Sequence, residues 1–271
     1  DELTEKEPEY LPAQVLAIKT MKALNHLDLD TRIDELTNRF PNSPEIMALK
    51  GQQYLLEGYV DEARKLLSRA VHSESPEPGW LVAYADSLAG ENYQDFPFQN
   101  APSENEIAEA GQALEKSGAL EKDSLAVAIQ AEMLLRSGSA EGAFKAISDF
   151  ESKQVSTDSE GYWRLQAGIA RAATMLGKFD IALAAIQEAI NQKPGLTGLH
   201  KILAEVLKAS GDTQSALEAA NQVLLIGPEV VQNVLWFVQF LNGLGKKQDA
   251  EQELQKALTR KPEEIKYRLA L

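Results

Sequence analysis

The segment from Trp163 to Leu196 reads WRLQAGIARAATMLGKFDIALAAIQEAINQKPGL, and segments 197–230 and 231–264 follow it with the same length. Five columns agree across the three segments at a spacing of 34 residues. They are a glycine column (Gly177, Gly211, Gly245), an alanine column (Ala182, Ala216, Ala250), a proline column (Pro194, Pro228, Pro262) and two small or apolar columns that begin at Ala170 and Ala189. This agreement indicates tandem units that bury their apolar faces against one another.

Each segment predicts a helix, a short turn and a second helix. Ile169 and Ala173 recur at helical spacing on the first helix. Gly177 supplies a helix-ending conformation that residues with a Cβ adopt reluctantly. Ala182 lies on the second helix, where a methyl group lets two helices approach closely. Pro194 ends that helix, since proline has no amide hydrogen and disfavours helical backbone in the residue before it.

This pattern resembles the tetratricopeptide repeat, which has 34 residues with small residues, glycine and proline in these columns. The resemblance extends to segment 44–77, where Gly51, Tyr54, Gly58, Ala63, Leu67 and Ala70 fall in the same columns. It implies an all-α fold, a right-handed superhelical solenoid of about seven antiparallel helix–turn–helix units.

The repeat pattern also predicts the division of the chain. Residues 1–160 form N-terminal units at 10–43 (degenerate), 44–77, 78–123 and 124–157. Residues 161–271 form C-terminal units at 163–196, 197–230 and 231–264, followed by a partial helix at 265–271. The third unit carries an inserted loop at 89–105, and the polar connector 153–160 is the predicted bend or domain boundary.

Composition disfavours several partners. Aspartate and glutamate number 41 against 27 lysines and arginines, and a net charge of −14 repels nucleic acid and anionic membranes. The chain has no cysteine, which excludes disulfides and cysteine-based zinc sites. No apolar run suits a transmembrane span, so we expect no direct membrane insertion. The acidic start, DELTEKE, lacks signal-peptide features, so either none exists or it was removed.

The sequence predicts a protein that is not an enzyme. It contains no nucleophile elbow, phosphate-binding loop or dinucleotide-binding motif. His26, His72 and His200 lie in separate units, so we expect no metal site and no cofactor. The carboxylates are expected on solvated outer helical faces.

The resemblance implies that positions 2, 5, 9 and 12 of each first helix line the inner, concave surface. The predicted peptide-binding groove consists of Arg164, Arg171, Lys201, Lys208 and Gln239 at these positions, together with Trp236 at position 6. Residues 1–160 carry 30 acids and 14 bases, net −16, whereas residues 161–271 carry 11 and 13, net +2. One interpretation is a groove for an acidic segment or a free C-terminal carboxylate. The alternative is that these cations are solvated and offset nearby acids such as Glu205.

Aromatic residues leave two further alternatives open. Trp236 either anchors a partner or packs against the next helix, whereas Phe237 is expected in the core. In the inserted loop, Tyr93, Phe96 and Phe98 either cover the exposed edge of the third unit or form a second contact site.

Residues from about 27 to 160 resemble a narrower family. The order runs Arg32-Ile33-Asp34-Glu35-Leu36, then Gly58-Tyr59-Val60-Asp61-Glu62-Ala63, then Trp80 with Tyr84-Ala85-Asp86-Ser87-Leu88-Ala89, a long loop, Ala113-Leu114-Glu115-Lys116, Gly138 and Ala143. This is similar to the repeat domain of cytochrome c maturation factors, haem-lyase accessory subunits that hold the C-terminal part of an apocytochrome.

These observations together predict a non-catalytic scaffold that holds a peptide or partner protein in its concave groove, as a chaperone-like assembly or maturation factor in bacteria. The alternative is a cytochrome c biogenesis factor that holds the C-terminal part of an apocytochrome c for haem attachment. The expected location is the bacterial periplasm, with the cytoplasm as the alternative.

Overall fold

The computed structural model describes residues 9–24, 26–90, 93, 102–152 and 161–270, and within them it contains fifteen α-helices and no strand. The first six helices are α1 (Leu11–Ala23), α2 (Leu29–Arg39), α3 (Pro44–Glu57), α4 (Val60–Val71), α5 (Pro78–Ala89) and α6 (Glu104–Ser117). The other nine are α7 (Ser124–Arg136), α8 (Ala140–Glu151), α9 (Tyr162–Met175), α10 (Phe179–Gln192), α11 (Thr197–Ser210), α12 (Thr213–Ile226), α13 (Val231–Gly243), α14 (Lys247–Arg260) and α15 (Ile265–Ala270).

The helix boundaries repeat with the period of the sequence. The second helices α10, α12 and α14 begin at Phe179, Thr213 and Lys247, which are 34 residues apart. In the turns before them, Gly177, Gly211 and Gly245 have φ values of 70°, 91° and 76°. Only glycine adopts this left-handed conformation without strain. The predicted helix–turn–helix unit is therefore confirmed.

The small-residue columns form the contacts between helices. Ala182, Ala216 and Ala250 are each 2% exposed or less. The column that begins at Ala170 and the column that begins at Ala189 are buried as well, including their valines Val238 and Val223. A larger side chain at these positions would force neighbouring helices apart, because protein interiors are close-packed.

The chain divides into two compact units. Unit 1 comprises residues 1–89 and 102–119, and unit 2 comprises residues 90–101 and 120–271. Unit 1 includes a core cluster of Ile18, Ile33, Leu36 and Ile46. Unit 2 has a core cluster that extends from Val127 to Leu199 and a second one that extends from Ala204 to Tyr267.

This division differs from the one predicted at the connector 153–160, which itself lies outside the described residues. The chain passes from one compact unit to the other at 89/90, 101/102 and 119/120, and none of these junctions lies at the connector. The physical reason is that the Val127–Leu199 cluster contains residues from both sides of the connector, so α9 packs on α7 and α8.

The inserted loop lies between the two helices of the third repeat, because α5 ends at Ala89 and α6 begins at Glu104. Although both helices belong to unit 1, residues 90–101 belong to unit 2. Within this insertion the structure describes Gly90 and Tyr93, whereas Phe96 and Phe98 lie outside the described residues.

Candidate binding surface

The first helices of unit 2 are α7, α9, α11 and α13, and they present the residues predicted to line the groove. Arg164 and Arg171 lie on α9, and Lys201 and Lys208 lie on α11. Trp236 and Gln239 lie on α13. Gln239 is exposed, whereas Arg171, Lys201, Lys208 and Trp236 are half-buried. We refer to this set of helices as the first-helix surface.

Two lysines of α11 lie over two aromatic rings of α13. Lys201 Nζ is 5.9 Å from the centroid of the Trp236 ring, and Lys208 Nζ is 5.2 Å from that of Phe240. Trp236 and Phe240 stack with centroids 5.2 Å apart and ring planes 25° apart. We call Lys201, Lys208, Trp236 and Phe240 the cation–aromatic strip. Cations held over aromatic faces gain a favourable electrostatic interaction.

Lys208 also has an acidic neighbour on its own helix. Its Nζ donates a hydrogen bond to Glu205 Oε2 at 3.0 Å, and both side chains remain partly exposed. Lys208 is therefore part of the cation–aromatic strip and also offsets an acid of its own chain. An exposed pair of this kind contributes little to stability.

Trp236 packs against neighbouring side chains, and it is half-buried. The stack on Phe240 and the position beside the core cluster of α11–α14 show that it packs against its neighbours. Because it is only half-buried, part of its surface still faces solvent beside Lys201. Phe237 is 4% exposed and lies in the core, as predicted.

Arg164 does not lie on an open surface. Its Nη2 donates to Glu132 Oε2 at 2.6 Å, and its Nε donates to Glu132 Oε1 at 3.1 Å. Arg164 is 7% exposed and Glu132 is 0% exposed. The bidentate pairing that the sequence assigned to a partner carboxylate is made within unit 2. At this position the structure favours the interpretation in which a cation offsets an acid of the same chain.

Glu132 corrects the expectation that the carboxylates lie on solvated outer faces. It belongs to α7, whose sequence SLAVAIQAEMLLR contains no other charge before Arg136. The residue sits in the ninth position of its repeat, which the repeat pattern assigns to the inner surface. An isolated acid in an apolar helix was the signal for a buried partner, but sequence alone does not name that partner.

Tyr93 of the insertion lies against the first-helix surface. Its hydroxyl donates to Glu132 Oε1 at 3.1 Å, and its ring meets the Trp163 ring edge-on with centroids 5.0 Å apart. The Arg164 guanidinium carbon lies 5.8 Å from the Tyr93 ring centroid. The Gly198 amide donates to the Tyr93 carbonyl at 3.1 Å. Tyr93 therefore packs on the later repeats of unit 2.

The chemistry of a metal or membrane site does not appear in the parts of the chain that the structure describes. Among those residues, no group of three or more His, Asp or Glu side chains is arranged to hold a metal ion. No helix in the same ranges combines the length and apolar character that crossing a bilayer requires. His200 contacts the Pro194 carbonyl oxygen through Nε2 at 2.9 Å, as a structural histidine does.

Comparisons with solved structures show which fold this is. Over 99% of its length the chain is similar to a chain of the APC/C heterotetramer Cut9-Hcn1, with a TM-score of 0.66 and 18% identity. Over 96% of its length it is similar to a tetratricopeptide repeat protein from Parabacteroides merdae, of which it covers 96%, with a TM-score of 0.57 and 13% identity.

The fold is that of tetratricopeptide repeat proteins. A third similar structure is human IFIT1, solved as a dimer with m7Gppp-AAAA, which matches 89% of the chain and 58% of its own at a TM-score of 0.60 and 17% identity. The chain spans about half the length of the Cut9-Hcn1 chain that it matches, at 50%. No family model and no curated protein matches the sequence.

Proposed function

We propose that this tetratricopeptide repeat chain is a non-catalytic scaffold that holds another polypeptide on the first-helix surface of unit 2. The cation–aromatic strip is the observation that carries the proposal. It combines two charged lysines with a half-buried tryptophan on adjacent first helices, and aromatic residues and cations often dominate the binding energy of protein interfaces.

The strip suits an acidic or C-terminal segment. Residues 161–271 carry 13 bases and 11 acids, whereas residues 1–160 have a net charge of −16, so cations are concentrated in the repeats that form the strip. Lys201 and Lys208 offer ammonium groups to a carboxylate, and Trp236 offers an apolar face to a neighbouring side chain. Complementary charges of this kind steer the encounter and select the partner.

A nucleotide ligand is the competing class, because IFIT1, with the same fold, was solved with m7Gppp-AAAA. The charge of this chain argues against it. At −14 overall, the chain repels a phosphate backbone at long range, and the strip offers only two lysines. A polypeptide that carries only a few carboxylates is repelled less strongly.

The finer role that we propose is an assembly or maturation factor in bacteria. Residues 27–160, which resemble cytochrome c maturation factors, support the alternative of a biogenesis factor that holds the C-terminal part of an apocytochrome c. That alternative places the chain in the periplasm, with the cytoplasm as the other location. Capture of a synthetic apocytochrome C-terminal segment, or a changed haem absorbance on mixing, would distinguish it from a general scaffold.

The first prediction tests the strip by charge reversal. The variant Arg171→Glu, Lys201→Glu, Lys208→Glu should reduce capture of partner proteins from a native lysate by about tenfold or more, because acidic partners are then repelled. Arg164 is left unchanged, since a glutamate there would face buried Glu132 and unfold the repeat. Quantitative mass spectrometry after cross-linking provides the measurement.

The matched control reverses three lysines outside the first-helix surface. Lys246, Lys247 and Lys256 lie at or within α14, a second helix, and their reversal changes the net charge equally. This control should capture partners as the unmodified chain does, and circular dichroism should show that both variants fold. Equal capture by the strip variant and the unmodified chain would contradict the proposed function.

A further inference from the structure

Tyr93 reaches the first-helix surface from a distant part of the sequence. It stands in the insertion that follows α5, yet it contacts α7, α9 and α11. Tyr93 is 6% exposed, and the core cluster of α7–α11 includes it. One residue of the insertion is thus buried on three successive first helices.

The positions that receive Tyr93 are those that tetratricopeptide geometry assigns to partner recognition. Glu132 is the ninth residue of its repeat, and Arg164 and Gly198 are each the second residue of theirs. Positions 2 and 9 line the inner surface in the pattern described above. The chain itself therefore occupies a section of the surface on which we propose that partners bind.

The contacts that Tyr93 makes are of the kind by which proteins bind peptides. One main-chain hydrogen bond, from Gly198 N to the Tyr93 carbonyl, holds the backbone, and one anchored aromatic side chain supplies specificity. The Tyr93 hydroxyl bonds to Glu132, while Trp163 packs against its ring. This combination distinguishes tyrosine from phenylalanine, because the hydroxyl has a buried acceptor.

Gly198 makes the close approach possible. A Cβ on residue 198 would lie 2.8 Å from both the Cα and the carbonyl oxygen of Tyr93, and 3.1 Å from its carbonyl carbon. Real Cβ atoms do not approach backbone atoms so closely, so a side chain here would push Tyr93 away. The lack of a side chain at position 198 is therefore part of the site.

We infer that Glu132, Trp163, Arg164 and Gly198 form a tyrosine-binding site that Tyr93 occupies as an intramolecular ligand, and that a partner segment binds by displacing it. This inference deepens the proposed function and rests on it. The partner segment carries a tyrosine with acidic neighbours. The occupant shows this chemistry in its own sequence, GENYQDFPFQ at residues 90–99, where acids stand two positions before and after Tyr93.

The occupant lowers the apparent affinity for any competing segment. A tethered ligand acts at an effective concentration of the order of millimolar, so a peptide of moderate intrinsic affinity binds about tenfold more weakly while the tether is in place. Removing the tyrosine side chain should therefore open the site to a peptide in trans.

The second prediction uses a labelled peptide GENYQDFPFQ as the probe and the full chain as the receptor. The variant Tyr93→Ala should bind the peptide at least about tenfold more tightly than the unmodified chain in fluorescence anisotropy. A peptide with alanine in place of its tyrosine should not bind either protein. Adding Gly198→Ala to the Tyr93→Ala variant should abolish binding, because the new methyl group blocks the backbone approach.

Equal peptide binding by the unmodified chain and a natively folded Tyr93→Ala variant would overturn the inference, as would no binding to that variant. Should the alanine variant lose its helical circular dichroism, Tyr93→Phe replaces it. The Phe variant loses only the bond to Glu132, so it should bind the peptide more tightly than the unmodified chain does, and equal affinity would again overturn the inference.

The peptide test and the charge-reversal test can each fail without the other. Peptide binding to Tyr93→Ala involves no partner protein, so it reports on the tyrosine site alone. Partner capture by the strip variant reports on the proposed function. Peptide binding together with unchanged partner capture by the strip variant would preserve the site and reject the strip as the place where partners bind.

Discussion

Arg164 and Glu132 are the residues whose environment departs furthest from the repeat pattern. Both are charged and both are buried, at 7% and 0% exposed. Removing two charges from water costs several kcal/mol per ion, and only good geometry and further hydrogen bonds offset this cost. The bidentate contact and the Tyr93 hydroxyl provide them. The pair therefore contributes to the stability of unit 2 and is also part of the site that Tyr93 occupies.

The third prediction concerns this pair. Arg164→Met should lower the free energy of unfolding by about 3–5 kcal/mol, because it leaves the Glu132 carboxylate buried without its countercharge. Urea denaturation followed by circular dichroism provides the measurement. The double variant Arg164→Met, Glu132→Leu should recover much of the loss, since an apolar pair of similar volume needs no desolvation of charge.

The matched control is Lys256→Met, because Lys256 pairs with Glu253 on the surface and its side chain is 63% exposed. Its effect should stay below about 1 kcal/mol, as is usual for exposed pairs. A loss of similar size in Arg164→Met and Lys256→Met would show that the buried pair has no special role.

The N-terminus of α6 shows how a single helix is stabilised locally. The Ser103 hydroxyl accepts a hydrogen bond from the Glu106 amide at 3.3 Å, and Glu106 Oε2 accepts from the Ser103 amide at 2.7 Å. This reciprocal capping box satisfies two amides that the helix leaves unpaired. The hydrogen bonds from the Ser103 backbone and hydroxyl, with the nearby charge of Arg64, lower the pKa of Glu106 from its ordinary 4.5.

The fourth prediction follows from the sign of this pKa shift. The folded state holds the Glu106 proton less tightly than the unfolded state, so the carboxylate stabilises the protein fully above pH 4.5. This contribution is lost as the pH falls through the lower pKa of the folded state. Glu106→Gln should therefore be less stable by about 0.5–1 kcal/mol at pH 7, and the difference should vanish in acid.

Thermal unfolding across a pH series measures this effect. The control is Glu104→Gln, which removes an acid from the same first turn but outside the capping box. Its stability difference should be smaller at every pH. A Glu106→Gln difference that stays constant from pH 7 into acid would contradict the interpretation.

Within each compact unit, contacts join helices that are neighbours in the sequence or one helix further along. Among the described elements, α13 packs on α12, α14 and α15, whereas α4 packs on α3 and α5. Each repeat buries its apolar face against the next, so stability is approximately a sum of units and of interfaces between them. A local loss of packing should therefore have local effects.

The fifth prediction tests at Leu254 whether a local loss of packing has local effects. Leu254 is a residue of α14 that is 3% exposed. Leu254→Ala should cost about 2–5 kcal/mol through the cavity it leaves. In hydrogen-exchange mass spectrometry, exchange in α13–α15 should accelerate by about tenfold or more, while α3 and α4 keep their protection. Equal acceleration in α3 and α4 would show that the chain unfolds as one cooperative body.

The candidate surface could be predicted from sequence only in part. The repeat positions predict that three residues, Lys201, Lys208 and Trp236, lie on first helices. The helical period then determines which side of the helix each residue faces. Their contacts with one another, and the separate partner of Arg164, depend on distances between repeats. Sequence spacing within one repeat carries no information about those distances.

The period of the repeat, the helix boundaries and the columns that pack follow from the amino-acid sequence alone. Gly177 and Pro194 act through local backbone preferences, and Ala182 acts through its small size, so each effect is encoded at one position and repeated along the chain. The tertiary structure was needed to show that Tyr93 lies on Gly198 and that Arg164 pairs with Glu132. These contacts join distant segments, and their energies depend on burial and geometry that exist only once the repeats have packed.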